Sequence, residues 1–288
     1  MKVLVLGATG LLGNAMFRVL SEARPGLVFG TVRDPGAREA FSEELDDGLV
    51  VVRDLEDPRE MAALLDRVQP GVVVNCTSLS KPSAQDLMRL VSVFSVLPRR
   101  LAYLCRSRGV RLVQISSDGI FSGARGGYSE DDLPDANDAY GIAKVLGEVD
   151  APDAITLRTS IIGPEIGSKN GLLAWFLSQT EQCRCYTRAV FSGLPSVVLA
   201  QVIGDHILPR PDLHGIYHVA AQPITKFDLL TLMAQKYGKN IRLVPDDSVV
   251  IDRSLSADRF MRATGYVPPE WPELVERMRS YTFGLKEN

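Results

Sequence analysis

The chain is poor in the residues from which metal centres and disulfide frameworks are built, with 3 histidines and 4 cysteines among 288 residues. The histidines show no ligand spacing, and Cys183-Arg-Cys185 is a C-x-C pair rather than a zinc-type C-x-x-C. Cys76 and Cys105 stand apart from it. Reduced thiols, no metal and a cytoplasmic setting are the expectation. Charge of either sign is also in short supply: 32 basic and 35 acidic side chains leave a formal charge of −3. A nucleic-acid groove or an anionic membrane surface needs a basic face, so neither is expected as a partner. No apolar run reaches the roughly 20 residues of a membrane span. The opening run is broken by Gly7, Thr9 and Gly10 with no small-residue cleavage site after it, unlike a secretion signal. Trp175 and Trp271 are expected to pack a core rather than to stack on a base.

What is present is an alternation. Apolar runs over Lys2–Leu6, Leu27–Val32, Val50–Val52, Val72–Asn75, Val110–Ile115 and Ile155–Arg158 read as buried strands. Between them, helical spacing covers Leu11–Ala23, Ala37–Leu45, Asp57–Val68, Leu87–Ser107 and Asp138–Val149. Strand and helix in turn predict an α/β fold with a doubly wound parallel sheet. After Gly163 the pattern loosens and prolines become frequent. Helices are expected over Leu172–Ser178, Val197–Ile207, Lys226–Tyr237, Ser256–Thr264 and Pro272–Phe283, and short strands over Gly215–Val219 and Ile241–Val244. The expected organisation is a sheet domain over 1–162 and a smaller C-terminal substrate lobe over 163–288, partly interleaved with the sheet.

Gly7-Ala-Thr9-Gly10-Leu11-Leu12-Gly13 lies between the first strand and the first helix. In that context glycines allow a tight turn, backbone approach to a pyrophosphate, and close packing of helix on strand. This is the phosphate loop of a Rossmann-type dinucleotide site. The second strand should end about 20 residues on, with an acid where NAD is preferred. Here Arg33 stands at that end and Asp34 follows it, so NADPH is the expected cofactor, with NADH the alternative. The alternative reading makes Arg33 a solvated turn residue and Asp34 the cap of the next helix. Ligands of such sheets sit at the carboxyl ends of the strands. That rule nominates Asp54 and Leu55 for the adenine edge and Asn75, Cys76 and Thr77 along the cofactor, although each also suits a cap.

Tyr140 and Lys144 stand one helical turn apart, so phenol and ammonium can share a face. Asn137 or Asp138 is the expected cap, which puts Tyr140 in the first turn. A cation and a helix N-terminus both favour the phenolate, and such a tyrosine can exchange a proton near neutral pH. Ser117, at the end of the fifth strand, offers a hydroxyl to a substrate carbonyl.

Glycine loop, strand-end serine and Tyr-x-x-x-Lys in this order resemble the extended short-chain dehydrogenase/reductase family. The stretches Ile115–Gly123, Gly127–Glu130, Tyr140–Lys144, Gly147-Glu148 and Leu157–Ser160 are similar to its dTDP-4-dehydrorhamnose reductase branch. Ile251–Ser256 and Thr264–Tyr266 have the look of that branch's substrate lobe. The resemblance implies reduction of a 4-keto-6-deoxy sugar on a nucleotide, for cell-surface polysaccharide. Tyr140 would be the general acid, Lys144 would lower its pKa and bind the nicotinamide ribose, and Ser117 would hold the keto oxygen. Asp118 would lie against the substrate. Related dehydratases carry a second acid where this chain has Gly119, which favours a reductase.

Two positions depart from the family pattern. Phe94 stands where many members have a proton-relaying asparagine, and Ile161 stands where rhamnose-pathway reductases have an aromatic residue. In the C-terminal lobe Arg188, Ser192 and Arg253 are candidates for the diphosphate or sugar. A homodimer is expected from the resemblance alone. The alternatives are a nucleotide-sugar epimerase with tightly held NAD, and a non-catalytic subunit that binds cofactor and regulates another enzyme; Phe94 leans toward the latter.

Overall fold

Short runs without a polar position build the centre of the molecule. The computed structural model describes residues 1–79, 86–166 and 171–281. Within it, β1 (Val3–Leu6), β2 (Val28–Val32), β3 (Leu49–Val51), β4 (Val72–Asn75), β5 (Arg111–Ile115) and β6 (Ala154–Arg158) are all parallel. β1, β4 and β6 are buried at every position, as strands covered on both faces must be.

Beyond β6 the chain leaves the sheet through β7 (Ile161–Ile162), β8 (Gln182–Phe191) and β9 (Leu194–Pro195), then returns as β10 (Gly215–His218). The seven-stranded order is β10-β6-β5-β4-β1-β2-β3. It reverses direction between β1 and β4, which opens the crevice where ligands of such sheets bind. Helices α1 (Leu11–Ala23), α2 (Glu43–Asp46), α3 (Pro58–Val68), α4 (Leu87–Val91), α5 (Leu97–Arg106) and α6 (Ala139–Leu146) connect the strands. The Rossmann-type architecture is the one expected.

Three expectations needed correction. The helix expected over Ala37–Leu45 is a 3₁₀ turn, Pro35–Ala40, followed by the single turn of α2. Between them Phe41 drops into the core, edge-on to Phe17 at 5.6 Å, and that contact outweighs helical continuity. The long helix expected over Leu87–Ser107 contains a widened π turn, Ser92–Val96. Pro98 is its cause, having no N–H to give to the Phe94 carbonyl one turn back. That carbonyl lies against Gly147, where a Cβ would stand 1.8 Å from its oxygen.

The third correction is in the C-terminal half, where β8 was not anticipated at all. It pairs with β11 (Ile224–Thr225) and β12 (Arg242–Asp252) in a three-stranded sheet. The strand expected over Ile241–Val244 is only the start of β12. Helices α7 (Leu172–Ser178), α8 (Ser196–Val202), α9 (Lys226–Lys236), α10 (Asp258–Thr264) and α11 (Trp271–Ser280) complete this half. The expected extension of the last helix to Phe283 lies outside the described residues. α8 packs on α1, so this half shares the core beneath the sheet. Trp271 is buried and its indole N–H donates to the Gln222 carbonyl, whereas Trp175 is 37 % exposed, short of the packing expected of it. All four cysteines are free and buried. Among the described residues no helix is long and apolar enough to cross a membrane.

One buried polar cluster joins the two halves. Arg158 of β6 donates to both oxygens of Glu148, at 2.9 and 2.8 Å, and Ser116 donates to Glu148 at 2.7 Å. His218 of β10 completes it: Nδ1 faces the Tyr128 carbonyl at 3.1 Å and Nε2 faces Arg158 at 3.4 Å. An imidazole that gives one proton to a carbonyl and accepts another from a guanidinium is neutral. Burial first, and then the Arg158 charge, push its pKa down to about 4. Between the ordinary value near 6.5 and about 4 the unfolded chain therefore holds a proton that the folded protein does not. Stability from this group is full above that window and is lost as the pH falls through it, by about 3 kcal/mol in all. In His218→Gln, urea midpoints should fall less steeply between those two pH values; an unchanged slope would assign the acid lability to other groups.

Candidate active site

At the switch point between β1 and β4, Thr9, Gly10, Leu11 and Leu12 form one wall of a cavity of about 480 Å³. Gly7 sits at φ +79°, and its N–H donates to the Thr31 hydroxyl at 2.9 Å. A Cβ on Gly13 would stand 1.9 Å from the Gly7 carbonyl oxygen, so α1 reaches this close to β1 only because residue 13 is glycine. Gly10 caps α1 with no side-chain bond, and the first turn carries no acid. The loop thus offers free backbone N–H groups and a positive helix end to an anion.

The neighbouring strand ends divide into open and committed groups. Arg33, after β2, is exposed. Asp34 accepts from the Gly36 N–H at 2.8 Å, the capping role that the sequence allowed. Asp54 is similarly occupied, accepting from the Glu56 N–H at 2.8 Å, and Leu55 packs against the core. Arg53, just past the end of β3 as Arg33 is past the end of the neighbouring β2, is also exposed, a cation that sequence reasoning passed over. Asn75 is buried and spent on Gln114 and Thr77, so it shapes the cavity floor from beneath. Cys76 and Thr77 do line the cavity. Burial pushes the Cys76 thiol up to about 12, which makes it an inert wall rather than a nucleophile.

The opposite wall carries Ser117, Tyr140 and Lys144. Asp138 caps α6 by accepting from the Gly141 N–H at 2.7 Å, which puts Tyr140 in the first turn. Ser117 opens a short 3₁₀ turn, and its Oγ accepts from the Gly119 N–H at 3.0 Å on the side where the Tyr140 ring lies. Gly119 fits flat against the tyrosine ring, where a Cβ would come within 2.9 Å of it. The Phe94 ring packs edge-on to Tyr140 at 5.4 Å and lies 4.6 Å beneath the Lys144 ammonium.

The phenol is not tuned as the sequence suggested. Lys144 donates to the Ile115 carbonyl at 3.2 Å, and burial lowers its pKa to about 8. Tyr140 is shifted upward, because burial dominates and Asp118 and Asp138 add to it. The relieving influences are the Ser117 hydroxyl and the Arg253 charge. Burial outweighs the helix N-terminus here, and the lysine faces a carbonyl and an aromatic ring instead of the phenol oxygen.

Of the residues nominated in the C-terminal lobe, Arg253 alone is brought to this site. It lies near Tyr140 and Asp118, with its Nη2 3.9 Å from Asp138. Its Nε is buried without a hydrogen-bond partner among the described residues. Ser192 is buried, and its hydroxyl accepts from the Leu255 N–H at 3.0 Å, a structural role. Arg188 is exposed on β8, away from the cavity lining. Sequence reasoning missed Thr159, Ser160, Glu165 and Ile166 in the lining, and Lys226 beside Asp118. The strand-end rule reaches Thr159 and Ser160. Lys226 arrives from a distant helix with no local signal.

The model of the RmlD substrate binding domain family matches residues 1–278. The chain belongs to this family. Among relatives similar to this RmlD-type chain, the dTDP-4-keto-6-deoxy-D-glucose reductase of Streptomyces niveus is 28% identical, over 85% of this chain and 83% of its own length. The methionine adenosyltransferase 2 subunit beta of Xenopus laevis is 24% identical, over 86% of this chain and 76% of its own. In fold the chain is similar to the dTDP-4-dehydrorhamnose reductase of Bacillus anthracis str. Ames in complex with NADP, with a TM-score of 0.78 at 19% identity over 98% and 100% of the two chains.

The charges around Tyr140 give a test. Arg253→Met should push the phenol still higher, while Lys144→Met should leave it unmoved in the ligand-free protein. Tyrosinate absorbance, taken as a difference against Tyr140→Phe, reads both. A comparable movement on removing the lysine would restore it as the tuning charge.

Proposed function

We propose that the chain is an NADPH-dependent 4-ketoreductase of a nucleotide-linked 4-keto-6-deoxy sugar, used in cell-surface polysaccharide synthesis. The observation that carries this reading is convergence: glycine loop, Ser117, Tyr140 and Lys144 line one cavity. The residues present fit a dinucleotide. Gly7 and Gly13 keep α1 close to β1, the Gly10 N–H closes the turn onto the Gly7 carbonyl so that the N–H groups of Leu11 and Leu12 face the cavity end of α1, and Lys144 is a half-buried cation that donates to a single carbonyl. Arg33, with Arg53 past the neighbouring strand end, would meet a 2′-phosphate. When bound, the reduced nicotinamide supplies hydride to a carbonyl carbon.

The protein's own part is proton supply and orientation. Tyr140 and Ser117 line the same cavity, and both hydroxyls would turn to the carbonyl oxygen as it gains charge. Lys144 holds the ribose and carries positive charge beneath the site. A phenol held neutral by burial is a proton donor at rest, which suits the reductive direction. Elimination of water would need a second acid at 119, and a side chain there collides with the Tyr140 ring.

A second reading is favoured by two observations. Phe94 fills the relay position with a ring, and relatives of comparable identity are named as subunits of methionine adenosyltransferase. On that reading the chain binds cofactor and turns nothing over.

NADPH oxidation on addition of a dTDP-linked 4-keto-6-deoxyhexose separates the two. Wild type should turn over, and Tyr140→Phe should lose about 10²–10⁴-fold in kcat with NADPH binding intact. Equal rates in the two proteins would remove Tyr140 from its role, and NADPH binding without turnover of any keto-sugar would favour the subunit reading. Arg33→Ala should weaken NADPH about tenfold relative to NADH, the loss of one charge-assisted phosphate contact.

A further inference from the structure

Reduction of a carbonyl adds hydride at carbon and one proton at oxygen, so a phenol that gives its proton must recover one before the next turnover. On one side of Tyr140 that recovery is blocked. The Phe94 ring lies against both the phenol ring and the Lys144 ammonium, and Lys144 donates to the Ile115 carbonyl. A phenyl ring neither gives nor takes a proton, and the ring is 4% exposed. Recovery from the direction of α4 and its π turn is closed.

On the other side the groups are continuous. The Tyr140 ring and the Ser117 hydroxyl flank Gly119 together and line the same cavity, and Ser117 Oγ donates to Asp118 Oδ1 at 3.3 Å. The Gly119 N–H fixes the serine oxygen from below at 3.0 Å. Phenol, hydroxyl and carboxyl stand in sequence, and a hydroxyl passes a proton by taking one as it gives one.

The Ser160 hydroxyl, at the cavity wall, favours the charged form of Asp118. The charged groups around it are Arg253, from the segment after β12, and Lys226, at the start of α9. Burial is the strongest influence on this carboxyl and holds it above the usual carboxylate range, against the pull of those partners. An acid so placed can hold a proton at a higher pH than an exposed aspartate.

We propose that Asp118 is the proton store of this site, returning a proton to Tyr140 through Ser117 after each reduction. This rests on the reductase reading above. The balance is complete: Tyr140 gives its proton to the carbonyl oxygen, the phenolate takes the Ser117 proton, Ser117 takes one from the Asp118 carboxyl, and the carboxylate is refilled from solvent. Asp118 acts on the reacting oxygen only through Ser117, so it is a positioning and relay residue.

Asp118→Asn keeps shape and hydrogen bonds but has no proton to give. We expect kcat to fall about ten- to a hundredfold, within the usual range for a proton-transfer role, with KM for the keto-sugar and affinity for NADPH unchanged. The loss should be greatest at low pH. Wild type needs the protonated carboxyl, so its kcat declines as the pH rises through the Asp118 pKa, and the two profiles converge above it. Ser160→Ala removes a hydroxyl that favours the carboxylate and should move the declining limb to higher pH. A raised KM with an unchanged pH profile would make Asp118 a ligand of the sugar and overturn the proposal, as would identical profiles. Phenol titration gives a readout without turnover. Asp118→Asn removes a negative neighbour and should bring the Tyr140 titration down, and an unmoved titration overturns the coupling. Absence of turnover in wild type, with the titration shifted as expected, would sink the reductase reading and leave the Tyr140–Ser117–Asp118 coupling standing.

Discussion

The bidentate pair of Glu148 and Arg158 is the constraint on which the rest of the site depends. Glu148 follows α6 by two residues, and Arg158 ends β6. Both are almost fully buried, at 7% and 4% side-chain exposure, so each charge would be costly without the other. Ser116 binds the same carboxylate and belongs to the end of β5. One ion pair therefore fixes α6 against two strand ends. It sets where Tyr140 and Lys144 stand relative to Ser117, the residue next to Ser116. Through His218 it reaches β10, and through the Tyr128 carbonyl it reaches the loop against the C-terminal lobe. A hydrophobic replacement of similar volume could match its stability but not its direction.

Around that frame the site runs on burial more than on charge. Burial lifts the phenol, lifts the Asp118 carboxyl, lowers the Lys144 ammonium and silences the Cys76 thiol. In each case the less charged form is favoured, and a dry cavity strengthens whatever dipoles a substrate meets there. Phe94 adds to this by filling space beneath two functional side chains. It owes its position to Pro98, whose missing N–H widens the helix and turns the Phe94 carbonyl toward Gly147.

Much of this was legible in the sequence because it is local. The glycine loop, the strand ends and the Asp138 cap depend on residues within one or two turns of each other, and they stand where periodicity and capping rules put them. β8 was legible too and was missed: Cys183, Cys185, Ala189 and Phe191 alternate with outward residues in the period of a half-buried strand. The failures of chemistry had another origin. A four-residue spacing says that Lys144 can reach Tyr140, not that it does, and its choice of the Ile115 carbonyl is set by a strand distant in sequence. Lys226 and Arg253 come to Asp118 from segments more than a hundred residues away. Ser192 had the right chemistry for a ligand but is spent on a backbone N–H.

The return of the chain to the sheet as β10 ties the lobes together at two points. The polypeptide leaves at β6, builds the outer sheet, and comes back to pair with β6 itself, while α8 lies along α1. A fragment cut at the end of β7 would present β6 as a bare strand edge and uncover the apolar flank of α1, the combination that invites intermolecular stacking. The two halves are better understood as one cooperative body than as a cofactor module with a detachable cap. In a family like this one, new specificities would then arise through substitutions within the returning segment, because the segment as a whole cannot be exchanged without breaking the sheet it completes.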